Sequence, residues 1–167
     1  GKLKWLSKLL RGNKWVFPIL KKAEHWVEDE WEQQELAQMG ISAQICPSFL
    51  GDIKDYKISF RQGNKVYLSA SEGREEEYGW GIVQEIACAL PKIEFHLFGA
   101  SKEWAEYRQP LKNVHIYMRM PKSVMNKFIK KMQCGLRFNK HDGFSEITAK
   151  SVLWGQYPIT YLYNPEI

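Results

Sequence analysis

Past residue 60 the apolar positions fall into compact runs that alternate with longer stretches of helical spacing. Val66-Tyr67-Leu68, residues 93–98, Val114-His115-Ile116-Tyr117, residues 135–138 and residues 159–163 are short and rich in β-branched and aromatic side chains, which predicts strands. Between them, residues 79–90, 102–108, 123–132 and 145–154 predict helices. Strand and helix taking turns imply successive crossovers and a sheet covered on both sides. The predicted fold class is therefore α/β: a Rossmann-like, largely parallel sheet with helices on both faces. In such sheets ligands lie beyond the carboxyl ends of the strands. Chemistry is accordingly sought in the loops at residues 69–78, 99–102, 118–122 and 139–145.

The first fifty residues read differently. Pro18 suits the first turn of a helix, and a helix is predicted over residues 23–39, with Trp26, Val27, Trp31 and Leu36 apolar and Gly40 as its stop. Residues 41–46 predict a short strand closed by Pro47, and Phe49-Leu50-Gly51-Asp52 a linker. Ahead of them, residues 1–22 hold Lys2, Lys4, Lys8, Arg11, Lys14, Lys21 and Lys22 and no acid, with Leu3, Trp5, Leu6, Leu9 and Leu10 interleaved. Such a segment fits either an amphipathic helix on an anionic membrane surface or a stripe packed on a neighbouring domain. The expected organisation is a basic amphipathic leading segment (1–22), a crossover helix, strand and linker (23–52), and a Rossmann-like domain (53–167).

Composition narrows the function classes. At 167 residues, 44% hydrophobic and 26% charged, the chain is one globular domain's worth of protein and not a disordered or low-complexity one. No run of eighteen apolar residues is present, so no membrane-spanning helix is expected. Cys46, Cys88 and Cys134 are odd in number and widely spaced, which argues against a disulfide framework or a structural zinc site and for a reducing, cytoplasmic setting. The net charge of +5 resides in the leading segment, since the remaining 145 residues carry 17 basic and 19 acidic groups. Nucleic-acid binding by the body of the chain is therefore not expected.

Four histidines, His25, His96, His115 and His141, show no metal-ligand spacing, so structural histidines and no metal or cofactor are predicted. No Gly-x-Ser-x-Gly elbow occurs, and neither Cys88 nor Cys134 has an activating neighbour in sequence, so no covalent nucleophile is indicated.

Two loops offer chemistry. The stretch Ser69-Ala70-Ser71-Glu72-Gly73-Arg74-Glu75-Glu76-Glu77-Tyr78-Gly79-Trp80-Gly81 lacks the spacing of a Walker loop or a dinucleotide fingerprint. In it, Arg74 is either a phosphate ligand or a solvated partner of Glu75 to Glu77. Lys140-His141-Asp142-Gly143-Phe144-Ser145-Glu146 runs directly into a helix. It is either a diphosphate cradle of glycine backbone and helix-start amides, or an Asp-Gly turn followed by a Ser145 N-cap.

In combination these stretches resemble the C-terminal, donor-binding half of retaining glycosyltransferases of the GT-B fold, the group called glycosyl transferases group 1. Residues 23–47, with Glu35-Leu36, Gly40-Ile41 and Ile45-Cys46-Pro47, resemble the segment that enters the donor domain. Residues 65–99 resemble its first strand, helix and strand, ending on Gly99. Residues 113–159 resemble its signature region, where Asp142-Gly143-Phe144-Ser145 stands for Glu-Gly-Phe-Gly and residues 155–159 for a later glycine-proline turn. The resemblance spans residues 19–163.

The resemblance implies a hexosyltransferase-type enzyme that moves a sugar from a sugar nucleotide to a glycan, lipid-linked sugar or protein acceptor with retained configuration. It implies a nucleotide-sugar-binding domain that continues past residue 167. Arg74 and Asp142 then fall at catalytic positions. Donor contacts fall on Gly73, Gly99, Met118, Arg119, Gly143, Phe144, Ser145, Glu146, Ile147 and Lys150. Two departures stand out: Trp80-Gly81 replaces the family's lysine-glycine, and its two glutamates read Asp142 and Lys150. Lys150 can then serve the ribose, serve a donor phosphate, or pair with Glu146 one turn away. A catalytically degenerate nucleotide- or partner-binding module of the same fold is the alternative.

Overall fold

The computed structural model describes residues 12–48, 52–107, 111–139 and 144–161. They pack into two compact units, one formed by residues 12–48 and the other by residues 52–161.

In the smaller unit, α1 (Val16–Lys22) carries Pro18 in its first turn, where a missing amide proton breaks no helical hydrogen bond. β1 (Trp26–Val27) and β2 (Gln44–Ile45) pair in parallel around α2 (Glu30–Gln38). The helix predicted over residues 23–39 is thus only its second half. Asp29 stops it from extending backwards: its carboxylate accepts the Glu32 amide, while the Glu32 carboxylate accepts the Glu28 amide. This reciprocal capping leaves residues 24–28 free to be extended.

The larger unit is the α/β layer. Its strands are β3 (Lys65–Ser69), β4 (Glu94–Ala100), β5 (Val114–Met118), β6 (Cys134–Arg137) and β7 (Tyr157–Thr160). The connecting helices are α3 (Trp80–Ala89), α4 (Lys102–Tyr107), α5 (Lys122–Ile129) and α6 (Glu146–Leu153). All strand pairs are parallel, in the order β5-β4-β3-β6-β7. Each expected strand and helix of this layer is present within a few residues of its predicted bounds. Strand 159–163 begins earlier, at Tyr157, and its last two predicted residues lie outside the described ones, as does Arg108.

The alternation of each strand assigns one core to each face. Leu68, Phe95, Leu97, Val114 and Leu136 pack with Trp80, Val83 and Ala87 of α3 and Trp104 of α4. On the other face Tyr67 and Phe98 pack with Ile129 of α5, Met132, and Ile147 of α6. Trp80 and Trp104 meet edge to face at 5.0 Å, a favoured aromatic geometry. Among the described residues no helix is long and apolar enough to cross a membrane.

The chain builds outward from β3 to β5, then returns to place β6 on the other side of β3. The strand order therefore reverses between β3 and β6, and the ligand crevice of such a sheet opens beyond their carboxyl ends.

Candidate functional site

Two strand-end loops meet at this reversal. Gly79 adopts a left-handed backbone (φ 81°), and a Cβ there would lie 2.6 Å from Cβ of Phe138. Only glycine lets the loop after β3 come this close to the residue after β6. The same closeness holds Gly99, whose Cβ would lie 2.2 Å from the Ala70 carbonyl oxygen.

Arg74 is exposed and donates to Glu77 from both Nε (2.8 Å) and Nη2 (2.5 Å). Its guanidinium lies 5.7 Å from the centroid of Tyr78, and that of Arg137, at the end of β6, lies 4.5 Å from the same ring. Two cations thus lie within cation–π range of one aromatic ring at the switch point. Sequence reasoning missed Arg137, a lone basic residue at a strand end. Its signal lies in the sheet order, which sets β6 beside β3.

Glu75 is not one of the solvated acids of its run. It is buried, and its carboxylate accepts the Ser101 amide at 2.5 Å, tying the loop after β3 to the loop after β4. Burial would raise its pKa, but the Ser101 amide, with those of Glu75 and Gly73, outweighs it and holds the carboxyl below its ordinary range. Gly73 itself has φ 78° with open space around it, as an exposed turn requires.

Trp80, where the resemblance expects a family lysine, is fully buried in the core and offers nothing to the crevice.

After β6, α6 begins at Glu146 with Ser145 as its N-cap, the Ser145 hydroxyl accepting the Thr148 amide at 3.3 Å and bonding the Thr148 hydroxyl at 2.7 Å. The N-cap alternative for Ser145 is thus realised. Lys150 is buried; its ammonium lies 2.9 Å from Glu146 Oε1 and donates to Asn126 Oδ1 at 3.2 Å. The contact to Glu146 is an ion pair rather than an aligned hydrogen bond, because Oε1 has no partner that meets hydrogen-bond geometry. Glu146 Oε2 also accepts from Lys122 at 2.8 Å. Burial pushes the Glu146 pKa up, but Lys122 and Lys150 together override it and hold the carboxyl low.

The remaining sequence-predicted residues divide. Phe144 and Ile147 flank the start of α6, Ile147 buried in the core. Met118 ends the edge strand β5 and Arg119 follows it, two strand spacings or about 10 Å from β3. Asp142 and Gly143 lie outside the described residues.

Toward the amino ends of β4 and β5 a second constellation forms. His96 stands directly opposite His115 in the parallel register, their rings stacked at 4.7 Å, with Glu94 two residues before His96 on the same face. Glu94 Oε2 lies 3.6 Å from His96 Nε2, 3.9 Å from His115 Nε2 and 3.2 Å from Lys65 Nζ. Burial, then the charges of His115 and Lys65, push His96 down to about 4. Spacing along the chain hides this group because the two histidines lie on different strands.

The fold and its crevice define a Rossmann-like α/β layer of the kind that forms half of a GT-B glycosyltransferase. No protein-family model matches the chain, and no curated protein sequence matches it. Among solved structures, the chain is similar to the pneumococcal O-GlcNAc transferase GtfA in complex with UDP and GlcNAc, with a TM-score of 0.61 and 14% identity. The match covers 86% of this chain and 31% of that one, so this chain spans about a third of the transferase it resembles. At that identity the likeness establishes a glycosyltransferase-like fold.

Proposed function

We propose that this chain is the donor-nucleotide-binding portion of a glycosyltransferase, which moves a sugar from a sugar nucleotide to an acceptor with retention of configuration. The observation that carries the reading is the pair Arg74 and Arg137 on the Tyr78 ring at the β3/β6 switch point, in a fold similar to a transferase solved with UDP and GlcNAc. Negative charge accumulates on the departing diphosphate in such a reaction. Guanidinium groups and helix-start amides aimed at it stabilise that charge without a covalent protein nucleophile. Arg137 supplies the second cation that buried Trp80 does not. Asp142, at the position of the family glutamate that faces the donor sugar, would take that role.

A second reading, nucleotide binding without turnover, is favoured by one observation. Lys150, at the position of a family glutamate, is already engaged by Glu146 and Asn126. An ammonium donates and cannot accept the ribose hydroxyl protons that a carboxylate would.

Calorimetry with UDP, GDP and ADP tests both readings, because each requires saturable nucleotide binding that Arg137→Ala weakens. Transfer from a labelled sugar nucleotide by the full-length protein then separates them. Binding without transfer leaves the second reading, and absence of any nucleotide binding removes both.

A further inference from the structure

We propose that Glu94, His96 and His115 form a binding site for one divalent transition-metal ion of the zinc class, set toward the amino ends of β4 and β5 and independent of the donor crevice. Their donor atoms all lie within 4.8 Å of one another, which is the one such grouping of three among the described residues. A tetrahedral ion with bonds of about 2.0–2.1 Å needs donors about 3.4 Å apart, so the 3.6 and 3.9 Å separations from Glu94 Oε2 require small closure, and the two imidazole nitrogens, within 4.8 Å of each other, require a turn of the partly exposed His115 ring.

A second observation points to a ligand independently. The His96 side chain is 8% exposed, and its Nε2 is buried without a hydrogen-bond partner, facing the Glu94 carboxylate. Buried polar atoms are ordinarily satisfied, so an orphaned ring nitrogen at the centre of a ligand cluster calls for an explanation. Its other nitrogen, Nδ1, lies 3.0 Å from the Tyr117 hydroxyl. In the tautomer that donates from Nδ1 to this hydroxyl, Nε2 presents its lone pair to the cluster. Outer hydrogen bonds of this kind fix ligating histidines in metal sites.

The donor set selects the ion. Two imidazoles and one carboxylate suit zinc, cobalt, nickel or ferrous iron, whereas calcium and magnesium prefer oxygen ligands throughout. Glu94 and His115 have side chains 35% and 41% exposed, which gives the ion a path from solvent and leaves a coordination position for water. Lys65 is the built-in competitor. Its ammonium lies 3.2 Å from Glu94 Oε2 on a side chain 48% exposed, so an incoming ion displaces it. Bound metal would tie β4 to the edge strand β5, a structural role at the end of the sheet away from the crevice.

The test is calorimetry and thermal denaturation of the full chain with zinc chloride. Cys46 and Cys88, both exposed thiols, are first replaced by serine so that they do not ligate the probe. One equivalent should bind and raise the melting temperature. Glu94→Gln and His115→Ala, at partly exposed positions that leave the core intact, should each weaken binding about tenfold or more and abolish the thermal shift. Lys65→Met should strengthen binding. Absence of saturable zinc binding, or an affinity unchanged in both Glu94→Gln and His115→Ala, overturns the proposal.

Discussion

The guanidinium of Arg137 lies 4.5 Å from the ring centroid of Tyr78, joining the carboxyl end of β6 to the loop that follows β3. Arg74 approaches the same ring from its own loop, paired for the present with exposed Glu77. Exposed ion pairs contribute little to stability, so Arg74 can exchange Glu77 for a phosphate without loss to the fold. Arg74→Ala should therefore weaken binding of a nucleoside diphosphate about tenfold or more while leaving the melting temperature nearly unchanged. Arg137→Ala should weaken it similarly. Calorimetry with UDP reads both effects, and unchanged affinity removes the residue concerned from the site.

Lys150 belongs to the interior, so exchanging its charge acts first on stability. Lys150→Glu would place a second carboxylate beside Glu146 in a buried position and remove the ammonium that compensates it. Breaking a buried ion pair in this way costs roughly 3–5 kcal/mol. Lys150→Met, which retains length and leaves Glu146 with Lys122, should cost less. Urea unfolding of the two variants checks the order. A Lys150→Glu protein as stable as the parent would mean that the ammonium readily escapes to solvent.

The Glu146 carboxyl, held low by Lys122 and Lys150 and near the phenol of Tyr56, makes stability depend on acid. Its folded pKa lies below the ordinary value of 4.5, so the unfolded chain takes up the proton first as pH falls. The stabilisation is fully present above that value and is lost as pH falls through the folded one. Glu146→Gln should lower the melting temperature at neutral pH, with the difference from the parent narrowing as pH falls below 4.5. Melting curves across that range check it, and a constant difference would show that the charge of Glu146 is not what stabilises the fold.

What the sequence discloses follows from how local each signal is. The strands of the α/β layer are legible because each is a short run rich in β-branched and aromatic residues, and the helices because their spacing differs from it. The Lys150–Glu146 pair is legible because residues one helical turn apart must be neighbours. The start of α2 is misplaced because an apolar spacing that continues through residues 26 and 27 outweighs the Asp29–Glu32 capping signal. Arg137, Glu75 and the Glu94–His96–His115 group are invisible for a different reason. Each acquires its partner only when strands distant in sequence come side by side.

The polar network beneath α6 shows how such non-local contacts support the crevice. Gln156, buried after α6, donates to the backbone carbonyls of Ile129 (2.6 Å) and Met132 (2.9 Å) and accepts from the Tyr67 hydroxyl at 2.7 Å. That hydroxyl also bonds Ser151 at 2.8 Å, and burial pushes the Tyr67 pKa well above its usual range, so it remains a donor. Gln156→Leu leaves two buried carbonyls without this donor and should destabilise the domain by roughly 2–4 kcal/mol. Tyr67→Phe should cost about 1 kcal/mol, since Gln156 keeps both carbonyls. Because the two residues share a hydrogen bond, the double variant should lose less than the two single losses together. A double-mutant cycle by urea unfolding measures that coupling. Strict additivity would mean that Tyr67 and Gln156 stabilise the fold separately, with no energy in the hydrogen bond they share.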